Sequence, residues 1–348
     1  MSRLFLDFNY AYLNARIKGM KSKLFTKDKL RQIRFAGSLI QFIELMEESQ
    51  YKKSFVSHSV FEKGLPLIRH ALVEDYVNTL LEIRKMAPEN AKYFVDYFLL
   101  YYRINDLKKI IEAKLTANKI SNKDLILTDA QSLEIYKPFF NTSDSASIIA
   151  CLDKSIFGEG FIKKNNLSND KIELYELFTA LDNYYQNKLS ILEEQTNESY
   201  LKSLISKKID TINLLIVLRA GSDFNDAKVF EKSFLITKNN ARENQLLSSS
   251  KDKNAIISSL ERRNKIKFSP QAISLAIDND DITQLEAEID SEFEKQVRSV
   301  SSISVMSLST VISYIFLKRN EVTNLLKIAE SIELENSNEV LSGISQLV

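Results

Sequence analysis

Apolar positions along this chain recur at helical steps. Tyr10, Leu13, Ile17, Met20 and Leu24 follow one another at intervals of three and four residues, which places them on one stripe of an amphipathic helix. Residues 75–86, 172–192 and 282–297 run without glycine or proline and are predicted helices. The four prolines, Pro66, Pro88, Pro138 and Pro270, are then punctuation, since a proline inside a helix costs about 3 kcal/mol. Pro88 and Pro138 fall between periodic segments, where helices are expected to end. The Lys-, Asn- and Ser-rich stretches 116–123 and 222–254 read as linkers or exposed loops.

The pattern also repeats over a long interval. When residues 91–114, 198–221 and 309–332 are set beneath one another, at offsets of 107 and 111, their apolar columns coincide. Phe94, Leu201 and Ile312 share a column, as do Tyr97, Leu204 and Ile315, then Phe98, Ile205 and Phe316. Leu107, Leu214 and Leu325 share another, followed by Ile110, Val217 and Ile328. An acid or amide precedes that last run in each copy (Asp106, Asn213, Asn324), and a small residue follows it (Ala113, Ala220, Ser331). The predicted object is one long helix with a continuous buried stripe, used three times. A weaker echo at an offset of 106 joins Phe42, Met46, Ser49 and Tyr51 to Ile148, Leu152, Ser155 and Phe157. Any two amphipathic helices align by their apolar faces, but that does not account for the polar column or the near-constant offset. A unit this long is no solenoid repeat of 20–50 residues; it is nearer a small helical bundle in three copies, bounded at 1–116, 117–223 and 224–348.

Composition agrees with an all-α fold. Seven glycines and four prolines serve 348 residues, where an average protein of this length carries roughly forty. Sheet folds and Gly-rich phosphate loops need more turn residues than that. With 44 % hydrophobic and 27 % charged residues, the chain is not disordered as a whole. The net charge of +1 argues against a nucleic-acid partner, because counterion release drives that affinity. One cysteine, Cys151, excludes an internal disulfide framework and fits a reducing compartment. The opening MSRLFLDFNYAYL is interrupted by Asp7, so no secretory leader is expected, and an intracellular protein is the economical reading.

Residues 299–317 carry no charge over 19 positions, the length of a bilayer core. Eight of them are serine or threonine, which predicts a buried helix rather than a span. No other segment competes for that role.

Reactive chemistry is sparse. The sequence holds no GxxxxGK[ST], GxGxxG or HExxH. The two histidines, His58 and His70, stand twelve apart with no further Cys or His nearby, so neither a zinc site nor a catalytic base is expected from them. Cys151 lies in an apolar run and reads as a small core residue. Neither catalytic residues nor a cofactor or metal site are therefore predicted. Charge, balanced overall, is locally segregated: residues 16–34 hold eight bases and only Asp28 as acid, while 278–294 hold eight acids and no base. Two docking faces of opposite sign are one reading; two solvated helix faces, facing each other in the fold, are the other. On the first, Arg16, Lys18, Lys21 and Lys23 are the candidate partner-docking residues.

The segment Tyr10-Ala-Tyr-Leu-Asn-Ala-Arg-Ile-Lys-Gly-Met-Lys-Ser22 resembles the opening helix of the C subunit of the prokaryotic V/A-type ATP synthases, the counterpart of the d subunit in the vacuolar enzyme. Asp210-Thr-Ile-Asn-Leu214, running to Ala220, is similar to that family's second internal motif, and Tyr314 to Ala329 to its third; Tyr102 to Lys114 matches the first more loosely. Two departures stand out: Arg103 occupies the position of Asp210 and Glu321, and Glu112 and Glu330 stand opposite Arg219.

The resemblance implies a funnel-shaped, all-α subunit of three similar helical bundles about a pseudo-threefold axis. It implies a non-catalytic place in the central rotor, on the cytoplasmic face of the membrane and without a span, between the central-stalk subunits and the proteolipid ring. Two other classes share the helical pattern. One is a scaffold that binds protein partners in a groove between bundles; the other is an all-α enzyme with a site built from scattered Glu, Lys and Tyr.

Overall fold

The computed structural model describes residues 2–59, 62–142, 144–157, 161, 174–219, 267–279, 281–303 and 307–334, with single positions at 254, 257, 258, 261 and 262. Side chains are described from Tyr10 onward, except at 214, 217–219 and 300–303. The described residues form thirteen α-helices and no strand. Six make up the first third of the chain: α1 Ser2–Lys21, α2 Lys27–Arg34, α3 Leu39–Glu47, α4 Lys52–His58, α5 Gly64–Met86 and α6 Glu89–Leu115. After a 3₁₀ turn at Asn122–Asp124 come α7 Ala130–Phe140, α8 Ser145–Asp153, α9 Leu174–Gln195 and α10 Ser199–Arg219. The last third contributes α11 Pro270–Asp278, α12 Thr283–Ile303 and α13 Leu308–Glu333.

Short polar side chains start the short helices. Thr26, Ser38, Asp129, Asp144 and Ser269 each accept the backbone N–H of the residue three further on, satisfying donors that a helix leaves open. Pro88 stands just ahead of α6 and Pro270 opens α11, as a proline at a helix start should. Pro138 departs from expectation: it lies inside α7, two residues before its end. Both Pro138 and Glu134, whose carbonyl goes without its helical donor, face solvent, so water takes the place of the missing N–H.

The three aligned segments are α6, α10 and α13, one long helix each. Phe94, Leu201 and Ile312 are buried, and so are Asp106, Asn213 and Asn324 in the polar column. Leu214, Val217 and Ala220 fall outside the described side chains. The weaker echo is reproduced in the same hydrogen bonds. Ser49 Oγ donates to Met46 O at 2.6 Å and accepts Tyr51 N at 3.1 Å; Ser155 Oγ donates to Leu152 O at 2.6 Å and accepts Phe157 N at 3.4 Å. Each serine ends a nine-residue helix, α3 or α8, and turns an aromatic ring into the core.

These long helices tie successive parts of the chain together. Packed beside α5, α6 also carries Leu100, Ile104, Leu107 and Ile111 into a second core with α7, α8 and α9. Helix α10 packs on α9 and then on α12, next to a third core around α11 and α12. Helix α13 packs on α12 and returns to α1, α2, α3 and α5 at the start of the chain. The packing order therefore closes on itself. Tyr97 and Tyr185 stack at 4.7 Å where α6 meets α9, and Arg319 of α13 stands 5.7 Å from the Tyr101 ring.

The uncharged stretch 299–317 is not one helix. It holds the end of α12 and the start of α13, and Ser307 between them is extended. The Glu198 carboxylate, from the turn before α10, accepts Leu308 N at 2.9 Å, Ser309 N at 3.2 Å and Ser309 Oγ at 2.5 Å. A distant acid thus caps α13, so Ser307 and Ser309 serve a helix boundary, while Ser313 is buried inside α13 and donates to Val297 O at 3.1 Å. Among the described residues no helix is long and apolar enough to cross a membrane.

Candidate functional site

The buried floor of the site lies on α13. Lys318 is 2 % exposed, and its Nζ sits 3.0 Å from Asp75 Oδ2, 3.5 Å from Glu321 Oε1 and 3.9 Å from the centre of the Tyr51 ring. Glu321 also accepts Tyr51 Oη at 2.5 Å, Gln50 Nε2 at 2.9 Å and the backbone N–H of Phe25. A buried ammonium is tolerable because two carboxylates and an aromatic face replace its water. Burial, and then the Glu321 charge, hold the Tyr51 hydroxyl well above its usual range, so it remains a proton donor at any physiological pH.

Above this floor opens a cleft of about 770 Å³ between α1, α4, α5 and α13. Arg16 of α1 and Lys23, in the turn just after α1, line it together with Lys53 of α4 and Lys85 of α5. All four are exposed, and none makes an ion pair with the described residues. With Asp75 engaged by Lys318, Glu82 is the remaining acid of the lining. The cleft therefore carries a local excess of positive charge on a chain of net charge +1, and what it can do chemically is attract acidic groups.

The four docking candidates do not share one face. Arg16 and Lys23 line the cleft, whereas Lys18 is exposed outside it. Lys21 lies on another side of α1, in a smaller recess with Lys27, Glu294 and Arg298. Burial and then the Arg298 charge lower its pKa. The basic and acidic segments thus share a border at that recess, and Glu294 is engaged by Arg298 Nε at 2.8 Å and Asn320 Nδ2 at 3.2 Å. Lys53 and Lys85 were invisible to a count along the chain, because they belong to α4 and α5. Lys318 and Glu321 were legible as part of a motif, though not as a buried pair.

The remaining reactive groups fall elsewhere. Cys151 is half-buried against the second core, and burial pushes its thiol pKa up, away from nucleophilic use. His58 and His70, unpartnered in sequence, have ring centres 5.9 Å apart at the corner between α4 and α5.

Residues 13–342 match the model of the ATP synthase (C/AC39) subunit family, and the chain belongs to that family. The A-type ATP synthase C subunit of Pyrococcus furiosus is 24 % identical, over 97 % of this chain and 91 % of its own length. That of Methanocaldococcus jannaschii is 25 % identical, over 94 % and 83 %, and that of Methanococcoides burtonii 24 %, over 91 % and 88 %. The chain is thus an ATP synthase subunit of the C/AC39 type.

Proposed function

We propose that this chain is a non-catalytic central-rotor subunit of a V/A-type ion-translocating ATPase. It seats the foot of the central stalk on the proteolipid ring, at the cytoplasmic face and without a span of its own, and passes torque between them. The observation that carries this reading is the closure of the helical packing by α13 on α1, α2, α3 and α5, in a chain of this family. A coupler must resist twist. Helices such as α6, with 27 residues and about 40 Å of length, are stiff, and a closed packing order leaves no free end to unwind. The cleft bearing Arg16, Lys23, Lys53 and Lys85 supplies a surface for an acidic segment of a neighbouring subunit.

The test is purification of the tagged chain from gently solubilised native membranes, with and without mild crosslinking. Recovery of proteolipid, stalk and ATPase head subunits is expected. Recovery of the chain alone after crosslinking overturns the reading and favours a protein-binding scaffold. Rotation is tested separately. A covalent link between this chain and the proteolipid should leave ATP hydrolysis intact, because the two turn together; a link to the stationary stalk should stop it. The double variant R16E/K23E, at exposed positions, should keep wild-type helicity and lose most of its assembly.

A further inference from the structure

The chain has two histidines in 348 residues, and the fold brings both to one place. His58 is the last residue of α4 and His70 lies in the second turn of α5. Between them Gly64, at the head of α5, has a φ of +64°, a left-handed conformation that other residues rarely adopt. The reversed backbone puts Glu62 against His70, its carboxylate oxygens 2.7 and 2.8 Å from Nδ1. Donor atoms of His58, Glu62 and His70 all lie within 4.8 Å of one another. Glu74, one helical turn beyond His70, reaches His58 Nε2 at 3.1 Å.

We propose that this corner is a binding site for a divalent transition metal of the zinc class. His58, His70 and Glu62 are its protein ligands, and Glu74 orients the His58 ring. Imidazole with carboxylate suits zinc and its neighbours and not the oxygen-seeking magnesium or calcium. Tetrahedral ligands held about 2.0–2.1 Å from zinc stand about 3.3 Å apart, so the donors need only draw in by side-chain rotation. A carboxylate on the far nitrogen of a ligating histidine is the usual means of fixing its tautomer. The four side chains are between 26 % and 48 % exposed, which leaves the metal a path in and room for water as fourth ligand. Two ion pairs alone would account for each histidine singly, but not for the meeting of both at one glycine-turned corner. The bound metal would fasten the end of α4 to the start of α5. This assignment is independent of the rotor reading.

The test uses the purified full chain, stripped with chelator and dialysed, and titrated with Zn²⁺ in a calorimeter, with Mg²⁺ as comparison. One Zn²⁺ per chain is expected, with no Mg²⁺ binding at the same concentrations. The variant H58Q/H70Q should lose that binding, and E62Q should weaken it at least tenfold. H70Q, which alters a half-exposed side chain, serves if the double variant loses helicity. Wild-type protein that takes up no Zn²⁺, or variants of normal helicity that bind it with unchanged stoichiometry and affinity, overturn the proposal.

Discussion

Two acids on two of the aligned helices do the same work in different ways. On α13, Glu321 reaches back to the start of the chain and accepts the N–H of Phe25, one residue before the cap of α2. On α6, Asp106 reaches forward and accepts Ile126 N at 3.0 Å and Leu127 N at 2.8 Å, just before the cap of α7. In each case a carboxylate on a long helix holds the chain that enters the next group of short helices. Yet the acids are not at aligned positions. Arg103 occupies the column of Glu321, and Asn324 that of Asp106. The α6 copy has its acid one turn later, and Arg103 instead donates to Ser132 Oγ at 3.0 Å and to Gln131 at the head of α7. On the two helices the same kind of anchoring falls to acids that stand one turn apart in the alignment. Positions three apart lie on nearly the same helix face, so the offset leaves the packing intact.

The clusters differ most in charge. Glu321 is paired with a buried lysine, whereas Lys109 is 3.7 Å from Asp106 and half-exposed. The largest expected effect therefore belongs to E321A. It leaves Lys318 with Asp75 alone and strands the Phe25 N–H, for a loss of about 3–5 kcal/mol. D106A strands two backbone donors without abandoning a buried cation, a cost of about 2–4 kcal/mol. Urea unfolding ranks the two. Hydrogen exchange locates them, with protection lost at Phe25 in one case and at Ile126 and Leu127 in the other. Equal losses would show that Lys318 contributes nothing to the difference.

The acid on α6 also carries a pH signature. Burial raises the Asp106 pKa above its usual value, and bonds from the Leu127 and Ile126 N–H groups only partly offset this. A carboxyl with a raised folded-state pKa binds its proton more tightly in the folded chain than in the unfolded one. Its contribution to stability is therefore greatest below the unfolded value, near pH 3.9, and declines as pH rises through the folded value. The cost of D106N, measured against wild type, should be greater at pH 4 than at pH 7. An opposite slope would mean that the hydrogen bonds outweigh burial.

Tyrosines separate the clusters further. Tyr51 Oη lies 2.5 Å from Glu321, but Tyr136 Oη lies 3.4 Å from Asp106. Y51F should cost about 1.5–3 kcal/mol, as for a bond to a charged group. Y136F loses a longer and weaker contact and should cost below about 1 kcal/mol. A reversed order in thermal or urea unfolding would break the comparison.

How much of this was legible beforehand follows from distance along the chain. The stripes on α1, α6, α10 and α13 are local, and three- and four-residue spacing revealed them. Asp106 and Glu321 were visible as polar residues in apolar columns, but their partners at 126–127 and 25 lie in loops without a periodic signal. The break within 299–317 depends on Glu198, more than a hundred residues away, and no local rule reports such a cap. The cleft draws on α1, α4, α5 and α13 together, so counting charges from 16 to 34 found only half of its bases. Pro138 misled for a different reason: the proline rule describes a helix interior, and the solvent-facing last turn of α7 lacks the penalty.

The two turn serines test whether the weaker echo is a repeated local unit. Ser49 and Ser155 were matched across 106 residues by an apolar pattern with one serine in it, and both make the same two bonds. Each takes up a carbonyl at the end of its helix and an N–H of the following turn, so S49A and S155A should each cost about 0.5–1.5 kcal/mol. The two sites lie against different cores, with Met46 and Tyr51 in one and Leu152 and Phe157 in the other. Equal costs in spite of those different surroundings would mean that the turn is a self-contained local unit. A cost at Ser49 alone would mean that the stronger Glu321 cluster, through Tyr51, amplifies a bond that is otherwise nearly neutral. Combining S49A with Y51F decides between them: independent local bonds add within about 0.3–0.5 kcal/mol, and a shared cluster does not.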